Sequence, residues 1–176
     1  MNIKQINSQR KYQGKKLALD ELSLEIDTKK VDIPVVRHPG AVVILPITNQ
    51  GEILLIKQFR HPLEEFLLEL PAGTLENGED KLLCAKREIV EETGFSASTW
   101  SELGELVPAP GFCDEIQYCF IAKDLSPDFA DKDLDEIIEP VSLSLSEIKK
   151  LISEFKIIDA KTIALIYRAE LLGFLS

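Results

Sequence analysis

Between Pro71 and Phe95 the chain reads PAGTLENGEDKLLCAKREIVEETGF, with three glutamates, Glu88, Glu91 and Glu92, close together near its end. On a helix, residues three and four apart are neighbours, so Glu88 shares a face with Glu91 and Glu92 while Ala85 and Ile89 turn toward a core. Like charges at that spacing repel by roughly a few tenths of a kcal/mol on a solvated helix. A solvated acidic face is the plain alternative. The preceding loop weighs against it, because Gly73, Glu79 and Arg87 recur at intervals set by a loop and two helical turns. Carboxylates beside exposed backbone carbonyls suit a hard divalent cation. Magnesium takes oxygen ligands, keeps several waters and draws its remaining ligands from substrate phosphates. Such ions neutralise a diphosphate, activate a bound water and align the attacking and leaving oxygens.

The elements around this stretch must hold it in place. A helix fits from about Glu79 to Thr93, with Leu82, Ala85 and Ile89 on one face and Gly94 as its stop. Ahead of it, KLALDELSLEI and VDIPVV predict two strands separated by the polar DTKK turn. AVVILPI and EILLIKQF predict a hairpin through TNQG, and FLLELPAG is a third short apolar run. After the helix, ELGELV, IQYCFIAK and IIEPVSL read as strands, with the acidic DLSPDFADKDLDE between the last two. Two closing helices are expected, one striped by Ile148, Leu151, Ile152 and Phe155, the other capped by Asp159. Strands interrupted by one long helix, with helices at the end, predict a mixed sheet sandwiched between helices.

The whole chain excludes several classes. Its 176 residues suffice for one domain with a core, and its net charge of -10 lacks the basic stripe that a nucleic-acid grip needs. The charge also disfavours an anionic membrane surface, and no apolar run reaches the length of a membrane span. Three cysteines, Cys84, Cys113 and Cys119, with no CxxC spacing, fit a reducing cytoplasm better than a disulfide framework or a zinc site. The polar, basic start is not a secretory signal.

Gly73, Glu79, Arg87-Glu88-Ile89, Glu91-Glu92 and Gly94-Phe95, at their spacing, resemble the Nudix box at every fixed position. The resemblance implies an α/β/α sandwich with a mixed sheet and a hydrolase that cleaves a nucleoside diphosphate linked to another moiety, using magnesium or manganese. Residues 41–176 would form that domain, and residues 1–40 a strand extension of the kind that makes relatives homodimers. By position, Glu88, Glu92 and the Ala72 carbonyl would be metal ligands. Glu91 would be a further ligand or orient water, with Arg87 and Glu79 in support.

VVRHPGAVVILPI, KQFRHPLEEFLLELPAG, PAPGFCDE and DAKTIALI are similar to the ADP-ribose pyrophosphatase branch, which makes ADP-ribose the expected substrate. Pro110 stands where that branch carries a marker proline, although Pro108-Ala109-Pro110-Gly111 is also a good turn on any fold. The resemblance assigns the general base to Glu136 in the acidic loop, with Glu139 as fallback. It gives Arg60 a substrate phosphate, Arg37 a weaker claim to the same role, and Glu115 the terminal ribose. Tyr12 is the sole aromatic residue before Phe59, and nothing in the sequence shows it stacking on a base. Other substrates stay open, among them a GDP-sugar, NADH or a dinucleoside polyphosphate. So does a nucleotide-sensing module that cleaves nothing.

Overall fold

The computed structural model describes residues 1–129 and 137–175. Its centre is β4 (Ala41–Pro46), buried along its whole length. Alternate side chains of a strand point to opposite faces. Val42 and Ile44 accordingly join one core with Cys84, Ala85 and Ile89 of the first helix, α1 (Lys81–Thr93). Val43 and Leu45 join a second core with Ile148 of α2 (Leu145–Ser153) and Leu165 and Ile166 of α3 (Ala160–Leu171). A strand covered on both faces needs no polar alternation, which explains the unbroken apolar run.

β4 runs parallel to β9 (Gln117–Pro127) and antiparallel to the short β7 (Ala72–Thr74), with β8 (Phe95–Leu106) beyond β9. The sheet is therefore mixed, in the order β7-β4-β9-β8. A second sheet holds β10 (Ile138–Leu143), β5 (Ile53–Arg60) and β6 (Glu65–Glu69), all antiparallel. The third is the meander of β1 (Ile3–Gln13), β2 (Ala18–Ile26) and β3 (Lys29–Arg37).

Two sequence expectations are corrected. β4 and β5 do not form a hairpin: the turn closes through Thr48 and Glu52, and Ile47 bridges Ile53, but the strands then part into different sheets. Each has better partners elsewhere, since β4 lies between β7 and β9 and β5 between β10 and β6. The two strands expected ahead of β4 are also joined by a third, in the N-terminal stretch before β2. It forms β1, whose 11 residues are all exposed, so apolar alternation could not reveal it.

Candidate active site

α1 starts where Asp80 accepts hydrogen bonds from the backbone N–H groups of Leu82 and Leu83, at 3.0 and 3.1 Å. It stops at Gly94, whose φ of 75° ends the helix and whose N–H donates to the Val90 carbonyl. Between these caps, burial of Ala85 and Ile89 turns Glu88 and Glu91 toward the loop that carries β7. The close approach there requires glycine. A Cβ on Gly73 would stand 1.8 Å from Cδ of Glu88.

Arg87 binds the acidic group together. Its Nη1 donates to Glu88 Oε1 at 2.7 Å and to Glu91 Oε2 at 2.9 Å, and its Nε and Nη2 donate to the two oxygens of Glu79 at 3.1 Å. Glu79 also accepts from the Glu76 N–H, so one carboxylate ties the loop to the helix. The Arg87 hydrogen bonds hold the Glu79 carboxyl below its ordinary value. Beneath this layer, burial drives the Cys84 thiol far up, so it stays protonated and serves as packing. Glu92 is buried and accepts from the Ala72 N–H at 2.9 Å, which fixes the loop from below.

A hollow of about 780 Å³ opens over these residues, lined by Gln58, Arg60, Ala72, Gly73, Glu88 and Glu91 among others. Lys15 and Lys16, from the β1–β2 turn, reach its wall. A second hollow of about 240 Å³ adjoins it across Arg60 and Ala72–Thr74, with Glu115, Gln117 and Lys161 in its lining. The two share a floor and read as one cleft with two ends. Among the described residues no three acidic, histidine or cysteine side chains already converge as a ready-made ligand set. Three of the acids are instead gathered on Arg87. The donor set nevertheless fits a hard cation, since carboxylate oxygens line a polar hollow beside a glycine cradle that admits no side chain.

Of the residues singled out in the sequence, Ala72, Gly73, Glu88, Glu91 and Arg60 come together on the first hollow, and Glu92 lies below it, on Ala72. Glu115 lines the second hollow. Arg60 is not a bare phosphate arm. Its Nε and Nη2 donate to Glu69 at 2.7 and 2.6 Å, and Lys161 also pairs with Glu69. Burial pushes the Glu69 carboxyl up, but the Arg60 hydrogen bonds and the charge of Lys161 more than offset this and hold it below the ordinary range. Arg37 lies outside both hollows, donating to Asp20 and Asp114 at 2.9 Å each. Pro110 is exposed on a turn, while Pro108 lines the second hollow. Glu136 falls outside the described residues, and Glu139 is exposed on β10 opposite Lys57.

Sequence reasoning missed Gln58, Gln117, Glu69, Lys161 and the two lysines of the β1–β2 turn. Nothing in the local pattern of Glu69, Lys161 and the two lysines marks them. Gln58 and Gln117 are inward-facing polar residues in apolar strands, which is the signal that a closer reading would use.

Residues 36–166 match the family model described as NUDIX domain. The chain is 38% identical over 162 residues to an ADP-ribose pyrophosphatase of Bacillus subtilis (strain 168), covering 90% of this chain and 88% of that one. It is 40% identical over 165 residues to a methanol dehydrogenase activator of Bacillus methanolicus, covering 91% and 88%. A crystal structure of an ADP compounds hydrolase shares the fold with a TM-score of 0.82 at 22% identity, over 97% of this chain and 93% of that one.

Proposed function

From the premise that this chain belongs to the NUDIX domain family, we propose that its cleft hydrolyses ADP-ribose to AMP and ribose 5-phosphate. The chain is a Nudix pyrophosphatase. The observation that carries the reading is the placement of Glu88 against Gly73 in a two-ended cleft that Glu91 also lines, with Glu92 fixed beneath.

Hydrolysis adds water to one phosphorus while the bridging P–O bond breaks and the leaving phosphate takes the electron pair. A divalent ion, magnesium in our reading with manganese as a substitute, neutralises the phosphate oxygens and lowers the pKa of the attacking water when bound. Glu88, Glu92 and the Ala72 carbonyl would hold it, and Glu91 would bind alongside or orient water. Arg87 keeps the carboxylates on one side through charge-assisted hydrogen bonds. Arg60, Arg37, Pro110 and Glu115 are proposed to serve the substrate. Only Arg60 and Glu115 line the cleft, so we give Arg37 and Pro110 a supporting part. Glu136 is the proposed base and Glu139 its alternative.

We further propose a homodimer formed through residues 1–40. The reading is supported by β1, an edge strand exposed along its length that carries Ile3, Ile6 and Tyr12 at the surface. Three free cysteines support a cytoplasmic location, since an oxidising compartment favours pairing. Among the described residues no helix is long and apolar enough to cross a membrane.

The test is kcat/KM over ADP-ribose, GDP-mannose, NADH and diadenosine polyphosphates with magnesium. Preference for ADP-ribose is expected. Preference for another member would refute the substrate and keep the chemistry, and saturable binding without turnover would favour a sensor.

A further inference from the structure

We propose that Gln117 is a specificity-determining residue that reads a hydroxyl of the sugar beyond the diphosphate. The proposal rests on the hydrolase reading above and deepens it. Gln117 opens β9, is 8% exposed and lines the second hollow. Its Nε2 donates to Glu115 Oε1 at 2.9 Å, which fixes the amide. Its Oε1 is buried and has no hydrogen-bond partner among the described residues.

A buried acceptor without a donor is costly, and such groups are rare in native proteins unless a ligand or water completes them. The missing partner must be a donor. A phosphate oxygen at neutral pH is an acceptor, so the diphosphate does not fill the role. A hydroxyl does. On the nitrogen side of the amide stands Glu115, whose carboxylate has a second oxygen able to accept. Two acceptors locked together by the Gln117–Glu115 hydrogen bond match two neighbouring hydroxyls, as on a furanose ring. The hollow that holds them adjoins the carboxylate-lined one across Ala72–Thr74, so a diphosphate over that floor would leave its sugar against Gln117.

The experiment compares ADP-ribose with the β-methyl ester of ADP, which keeps the diphosphate ester and loses the sugar, for wild type, Gln117→Leu and Gln117→Met. Folding is checked by thermal unfolding. Both variants are expected to lose about tenfold or more in kcat/KM on ADP-ribose, mostly through KM, and to stay within about twofold of wild type on the methyl ester. Equal losses on both compounds would overturn the proposal, because a structural fault or a diphosphate contact does not discriminate them. The wild type supplies a reading that needs no variant. ADP-ribose lacking the 2-hydroxyl of its terminal ribose should fall about tenfold in kcat/KM, and an unchanged value would also overturn the proposal. A wild type inactive on both substrates would refute the hydrolase reading itself and the inference with it.

Discussion

At the residue scale the account turns on contacts that admit no substitute. Gly73 is the sharpest. A methyl group there overlaps Glu88 at 1.8 Å, so Gly73→Ala must displace the carboxylate or the loop. We expect kcat to fall about a hundredfold or more, since misplacement of about an ångström costs that much. Near-normal turnover in this variant would show that Glu88 does not need its position. Glu92→Gln is the complementary test, because the amide oxygen can still accept from the Ala72 N–H while the charge is lost. Its melting temperature should stay close to wild type while turnover disappears, and an active protein would remove Glu92 from the metal set. The box residues were legible in the sequence because their spacing is local to one loop and one helix. The partners of Arg60 and Arg37 were not. Glu69 reaches Arg60 across a strand pair, and Asp114 meets Arg37 from 77 residues away, pairings that only the folded topology creates.

At the element scale, α1 was readable from its caps and its apolar stripe, and it begins within two residues of the expected start. Asp80→Ala removes the acceptor for two N–H groups and should cost about 1 kcal/mol, lowering the melting temperature by roughly 2–4 °C. Activity at room temperature should be nearly unchanged, which separates the cap from the catalytic face. The β4–β5 pair shows the opposite case. Its turn chemistry is real, since Gly51 has a φ of 81° and its N–H donates to Thr48, yet a turn specifies only the corner and not where the strands go next. Both runs are apolar on each face, so nothing in their pattern chose one neighbour over another. β1 was invisible for the converse reason, because a strand with every residue exposed has no buried face to alternate.

At the scale of the whole molecule, charge pairs clamp the cleft to the elements around it. Glu69 joins β6 to α3 through Lys161 and to β5 through Arg60, and Asp114 and Asp20 join the Pro-rich turn and β2 to β3 through Arg37. All three carboxyls are held below their ordinary values. Lowered carboxyl values contribute stability that is complete above the unfolded values of 4.5 for Glu and 3.8 for Asp, and that is lost as pH falls through the folded ones. Thermal unfolding should therefore change little between about pH 7 and pH 5 and drop below about pH 4.5, with a shallower drop in Glu69→Gln. A melting temperature that rises on acidification would contradict this. The most direct test of the central claim is product identification by phosphorus NMR after incubating the purified protein with ADP-ribose and magnesium, beside a chelated sample and Glu92→Gln. The account predicts AMP and ribose 5-phosphate in the complete reaction and neither in the two controls. Intact ADP-ribose throughout, or the same products in the chelated sample, would contradict a carboxylate-held metal acting on this diphosphate.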